Sequence, residues 1–243
     1  MEVFTILWRE LIFFKKRALK ITTATIITPI LYLIAFGWGL EGNIKIEGYS
    51  YISFLIPGII ALSSMRTSFN AVSIRITVSR FTEKSFEYYL TAPINLYLLT
   101  LGQILAGALR GFYASILIYI VTLVFKQNLN VNIYFWVIVF LNSFLFSALG
   151  YFAAMVIESH YEMNRFTSFV ITPMSFLCGT FFSLDKMPIV IKHIISFLPL
   201  SFTTQALRNI AVFDKILFKN IFFLLLYIVV FYMLSVRVSY REV

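Results

Sequence analysis

Two arginines stand where a charge is costly. Arg110 lies within Leu105-Ala106-Gly107-Ala108-Leu109-Arg110-Gly111-Phe112, and Arg66 within Ser63-Ser64-Met65-Arg66-Thr67-Ser68, both inside long apolar stretches. A cation at the centre of a hydrocarbon layer costs about 3 kcal/mol on insertion scales, so both should face a bundle interior or a wet cavity. Such a pair suits an anionic or phosphate-bearing substrate head. It equally suits structural arginines that bind carbonyls or a helix C-terminus. Their partners are not evident, and the loose group Glu158, His160 and Glu162 supplies the candidates. Other chemistry is scarce. His160 and His193 are far apart, with no partner at metal-ligand spacing. No nucleophile–histidine–acid arrangement stands out. No GxxxxGK[ST] loop occurs, so the chain cannot hydrolyse ATP by that route. The single Cys178, in Phe176-Leu177-Cys178-Gly179, reads as a packed small hydrophobe.

The elements that must position these residues are apolar and long. Unbroken stretches run over Ile21–Leu40, Ile52–Ile76, Tyr97–Phe125, Ile133–Ile157 and Ile216–Val238. At 1.5 Å per residue, each spans a hydrocarbon layer about 30 Å thick. A sixth begins near Phe166 and reaches about Leu184 before Asp185, Lys186 and Pro188 interrupt it. With 60% hydrophobic and only 13% charged residues, too little polar surface remains for a soluble globule. The expected fold is an all-α integral membrane bundle of six spans, one domain over residues 1–243. Aromatics serve lipid contact and interfacial belts rather than a cofactor. Gly102, Ala106 and Gly107 form a small-residue seam for close helix packing.

The net charge of +9 is distributed as a topology signal rather than a nucleic-acid footprint. Arg9, Lys15, Lys16, Arg17 and Lys20 precede the first span, and Arg75, Arg80 and Lys84 follow the second. Positive charge favours the cytoplasm, which places both termini inside and the Glu41–Ser50 loop outside. Lys186, Lys192, Arg208, Lys215 and Lys219 dissent mildly. Residues 1–20 read as an amphipathic interfacial helix, with Val3, Phe4, Leu7, Trp8, Leu11 and Ile12 at helical spacing, either a topogenic anchor or a lever on a partner. No cleavable signal is expected there.

Two further segments are informative. In residues 80–95, Glu83 and Glu87 stand one turn apart, as do Phe86 and Leu90, so a short amphipathic helix is expected, ended by Pro93. Its aromatics Phe86, Tyr88 and Tyr89 must be covered by the parent bundle or by another protein. In the broken region, Pro173, Gly179, Pro188 and Pro199 interrupt the apolar run, and Ile189–Leu200 is too short to span. Arg208 is placed to pair with Asp214. The simple reading of residues 184–212 is an external loop with an amphipathic helix.

Three motifs in order carry a family resemblance: Ile56-Pro57-Gly58-Ile59, then Leu90-Thr91-Ala92-Pro93-Ile94 preceded by Glu83 and Glu87, then Gly179 to Pro188 followed by Leu198-Pro199-Leu200-Ser201 and Ala206-Leu207-Arg208. Along nearly the whole chain this resembles type 2 ABC export permeases, by eye the subgroup with nodulation-factor, drug-resistance and polysaccharide exporters. Arg110-Gly111 fits the family's pattern, and Arg66 departs from it. The resemblance implies a half-channel without cofactor, paired with a second copy and driven by two separate ATPase subunits that carry ATP and Mg. It implies that Glu83, Phe86, Glu87, Leu90 and Pro93 belong to a cytoplasmic coupling helix. It also implies that Gly179, Asp185, Pro188 and Pro199 belong to short re-entrant helices at the exit, with Arg66 and Arg110 on the translocation path. The expected function is outward movement of an amphipathic substrate (drug, glycolipid or polysaccharide) across the cell membrane. The alternatives are an integral-membrane enzyme acting on lipids and a non-transporting anchor for a cytosolic ATPase.

Overall fold

The computed structural model describes residues 2–38, 45–46, 49–86, 88, 95–125, 129–184 and 187–241. Among these, α1 (Glu2–Tyr32) runs into a π-helical turn (Leu33–Trp38), and a two-residue antiparallel pair, β1 (Lys45–Ile46) with β2 (Tyr49–Ser50), leads into α2 (Tyr51–Phe81). Then follow α3 (Leu96–Thr122), α4 (Ile133–Val156), α5 (His160–Phe166), a second π-helical turn (Thr167–Ile171) and α6 (Thr172–Leu177). The chain closes with α7 (Ile189–Ser196), α8 (Pro199–Phe213) and α9 (Phe218–Ser239). Among the described residues five helices are long and apolar enough to cross a membrane; the stretch expected from Phe166 to Leu184 is not one of them, and α7 with α8, bent by 92° at their junction, form either a sixth, broken span or a re-entrant pair. The fold is all-α, as expected of an integral membrane protein, because in lipid each spanning helix must close its own backbone hydrogen bonds.

Caps mark where helices begin. Asn95 accepts from the Tyr97 amide at 2.9 Å, Asn132 from Phe135 at 3.1 Å and Ser159 from Glu162 at 3.2 Å. These side chains satisfy amides that have no partner within the helix. Pro173 does not interrupt its helix as expected. In the π-helical turn just before it, the Thr172 amide bonds the Thr167 carbonyl, so the ladder is re-registered ahead of the missing proline donor.

α1 is unbroken from Glu2 to Tyr32, so the amphipathic residues and the first apolar stretch form one helix. It runs beside α3 in the same direction. Ile6 clusters with Leu96 and Leu99, Phe14 meets Tyr113 edge-on at 4.8 Å, and the Thr22 and Tyr113 hydroxyls bond at 2.9 Å. The end carrying Ile6, Leu96 and Arg80 is the basal end. The opposite, distal end carries Gly37, Ile52 and Phe181.

α2 is the central post, buried along most of its length between α3 and α4. Small residues let backbones meet there: a Cβ on Gly111 would stand 2.7 Å from the Ser64 carbonyl oxygen, and one on Gly150 2.7 Å from that of Phe69. The expected seam on α3 divides, with Gly102 against Ile6 of α1 and Gly107 against Val72 and Ser147. Asn142 of α4 links three helices by donating to the Ala61 carbonyl at 3.1 Å and accepting from the Thr203 hydroxyl at 2.7 Å. Interhelical bonds of this kind contribute about 1 kcal/mol each in membranes.

Candidate functional site

A cavity of about 930 Å³ opens between α1, α2 and α3. Its wall is mostly apolar, yet Arg9, Arg17, Lys20, Arg66, Arg75 and Arg110 all line it, with Glu83 as the single acid among the described residues. The structure therefore brings both sequence-predicted arginines to one chamber.

The partner of Arg110 is Glu10, which sequence reasoning missed. Arg110 Nη2 donates to Glu10 Oε2 at 2.6 Å, Arg75 Nη1 reaches the other carboxylate oxygen, and Arg9 lies 3.5 Å from it. Glu10 is 6% exposed. A buried carboxylate is sustainable only with such compensation. Burial and the nearby Arg75 pull the Arg9 guanidinium below its usual range, and Glu10 pulls it back up. The readable signal was the spacing Ile6, Glu10, Phe14, which puts one acid on the packed stripe of α1. The Glu158, His160 and Glu162 group does not serve these arginines. His160 Nε2 instead bonds the Thr82 hydroxyl at 2.9 Å.

Arg66 is held differently. Its Nε donates to the Ser175 hydroxyl at 3.1 Å, and Ser175 in turn donates to the Ile171 carbonyl at 2.7 Å. Among the described residues no carboxylate lies in ion-pair range of Arg66. No group of ligands for a metal ion occurs among the described residues either.

At the basal end, α2 stops at Phe81, and residues 82–86 form a turn with Lys84 at φ 51°, so the expected helix does not begin at Glu83. The Ser79 and Ser85 hydroxyls bond at 2.8 Å, and Ser85 also donates to Glu83 at 3.2 Å. Of the aromatics expected to be covered by the parent bundle or by another protein, Phe86 is 3% exposed and belongs to the main core, while Tyr88 is 76% exposed. The parent bundle thus covers Phe86 and leaves Tyr88 exposed, and Tyr89 lies outside the described residues. Glu83, Ser85 and Phe86 also line the cavity. Glu87, Leu90 and Pro93 lie outside the described residues.

At the distal end, the chain turns sharply after α6 at Gly179, whose φ of +77° favours glycine. Arg208 secures this turn by donating to the Gly179 carbonyl at 2.7 Å and to the Phe54 carbonyl at 3.3 Å, its guanidinium 3.4 Å from the Phe54 ring centroid. The expected Arg208–Asp214 pair is not formed. Arg208 shares the buried face of α8 with Thr204 and Ala211, whereas Asp214, at φ 52°, ends that helix and accepts from Asn130 at 2.7 Å. Further ties hold the turn: Tyr51 donates to the Phe181 carbonyl at 3.0 Å, Thr204 to the Cys178 carbonyl at 2.7 Å, and Gly58 packs under Thr180. Cys178 is fully buried, as expected of a packed small hydrophobe.

Pro188 precedes the first residue of α7, and Pro199 is the first residue of α8, where its fixed φ and missing N–H cost nothing. Asp185 lies outside the described residues. Phe181 meets Tyr32 edge-on at 5.1 Å and Phe36 at 4.8 Å. Since Tyr32 also lines the cavity, the Gly179 turn and the chamber share a wall.

The sequence has known relatives. The family described as ABC-2 type transporter matches residues 1–212. The chain is 26% identical to the inner membrane transport permease YadH of Escherichia coli (strain K12) over 229 residues, 90% of this chain and 88% of that protein. It is 28% identical to nodulation protein J of Rhizobium leguminosarum bv. trifolii over 240 residues, 96% of this chain and 91% of that one. It is also 28% identical to nodulation protein J of Bradyrhizobium diazoefficiens over 211 residues, 85% and 80%. The chain belongs to the ABC-2 type transporter family, as a multi-pass permease subunit of the cytoplasmic membrane that works with separate ATPase subunits.

Proposed function

We propose that this permease is the membrane half of an exporter, moving an amphipathic substrate outward as a pair of identical copies over two ATPase subunits. The basal end is then cytoplasmic, together with both termini. One observation carries the reading: Glu83, Ser85 and Phe86, at the start of the expected coupling segment, line the same cavity as Arg66, Arg110 and Tyr32. A push on that segment therefore acts on the chamber wall. Ser85 is bonded to Ser79 of α2, and Thr82 to His160 of α5, so the push reaches two helices. The Tyr32–Phe181 contact closes the outward side in this state. ATP binding shifts the balance only to the extent that the ATPase binds the two states differently.

The test uses the full chain co-expressed with its ATPase subunit. A tagged copy is expected to bring down both the ATPase and an untagged copy, and to raise ATP turnover in lipid. In inside-out vesicles, ATP is expected to drive accumulation of fluorescent amphiphiles in the lumen. A correctly inserted chain that recruits no ATPase would overturn the assignment, and ATP-driven loss of dye from the lumen would reverse its direction.

A further inference from the structure

We propose that the cavity is a binding site for an amphiphile with an anionic head, a phosphate or a carboxylate, received by Arg66 together with Arg17 and Lys20. The inference rests on the permease reading and specifies the cargo class. Among the described residues six cations line the chamber with one acid, Glu83, and Glu10 pairs with Arg75 and Arg110 beside it.

These charges form two stations. At the lower one, Glu10 already serves as the anion for Arg75 and Arg110. The upper one comprises Arg66, Arg17 and Lys20. Arg66 uses its Nε on Ser175, its two terminal nitrogens take no partner among the described residues, and no carboxylate there pairs with Lys20. A guanidinium held at Nε presents a preset fork to an oxyanion. Nine residues separate Arg66 from Arg75, about 13 Å along α2. Arg17 and Lys20 lie seven and ten residues above Glu10 on α1, about 10 and 15 Å, so register brings them level with Arg66.

The chemistry beside the upper station explains why the ligand carries a tail. Ile21, Ala24, Pro29, Leu62 and Ile74 supply an apolar wall to the same chamber. The volume lies within the range of pockets that enclose drug-sized ligands. An anion alone leaves that wall wet, and a neutral amphiphile leaves Arg66 without a counter-charge. Only a molecule with both parts meets both needs.

The test titrates the purified full chain, in neutral maltoside micelles, with three fluorescent dodecyl probes bearing a phosphate, a hydroxyl or a trimethylammonium head. The phosphate probe is expected to bind at least tenfold more tightly than either other probe. Arg66→Gln is expected to abolish that preference, Lys20→Gln to weaken it severalfold, and Lys215→Gln, outside the cavity, to leave it unchanged. Lys20 is exposed, so its variant reports on binding even if Arg66→Gln elutes as aggregate. Displacement of the phosphate probe by phosphatidylglycerol identifies a lipid headgroup as the source. Retention of the probe against it identifies a non-lipid amphiphile, and both outcomes support the site. Equal affinity for the three heads, or full phosphate preference in well-folded Arg66→Gln, overturns it. A preparation that still recruits the ATPase but shows no preference loses the cargo class alone, whereas one that recruits no ATPase loses the permease reading.

Discussion

Arg110 of α3 and Glu10 of α1 meet at 2.6 Å across 100 positions of sequence. Because the same carboxylate also takes Arg75 of α2, one side chain fastens the first helix to the other two that wall the cavity. A single carboxylate so placed governs both the charge of the chamber and the seating of α1.

Glu10→Gln is therefore expected to destabilise the bundle. Removing one partner of a buried ion pair costs about 3–5 kcal/mol. Arg75 and Arg110 side chains keep 30% and 16% of their exposure, which reduces the loss to about 2 kcal/mol. Thermal unfolding in detergent measures it. The double variant Glu10→Gln/Arg110→Gln should lose less than the sum of the single variants, and strict additivity would show that the pair does not couple.

Phe86→Ala and Tyr88→Ala should separate packing from docking. Phe86 is a core residue, so its truncation is expected to cost about 3–5 kcal/mol and to lower the yield of folded protein. Tyr88 is exposed, and its truncation should leave the melting temperature in place while weakening ATPase co-purification. A Phe86→Ala variant with wild-type melting would contradict the packing described here.

Arg208→Gln should loosen the Gly179 turn, and the chain carries its own reporter. Cys178 is the only cysteine, and it lies fully buried beside that turn. Maleimide labelling is expected to be negligible in the parent and at least tenfold faster in the variant. Equal labelling would mean that Arg208 does not hold the turn closed.

Two glycine substitutions should differ for a steric reason. A Cβ on Gly179 finds its nearest neighbour, Leu184 Cγ, at 3.4 Å, so Gly179→Ala costs mainly the positive φ, about 1 kcal/mol. A Cβ on Gly58 would stand 2.5 Å from the Thr180 carbonyl oxygen, a backbone atom that cannot swing away. Gly58→Ala is expected to cost about 2–3 kcal/mol and to expose Cys178, as unfolding and labelling together will show. Equal cost at both positions would remove the contact between α2 and the turn from the account.

Much of this architecture is legible without coordinates. Apolar length alone marks five spans, and Pro188, Pro199 and Gly179 mark where the remaining segment bends, because each of these properties is local to a few turns of chain. Pro173 misleads for the same reason: its local rule breaks a helix, yet a π-helical turn ending two residues earlier absorbs it.

What tertiary structure decided is which charged and aromatic side chains meet. Local chemistry makes Asp214 the natural partner of Arg208 and leaves Phe86 to be covered by either the bundle or another protein. Packing instead turns Arg208 onto two carbonyls of neighbouring segments and folds Phe86 into the core. The amino-acid order alone specified that cations enter the bundle. Only folding chose their counter-charges, because a low-dielectric interior stabilises a charge through whatever group lies within a few ångströms, irrespective of its distance along the chain.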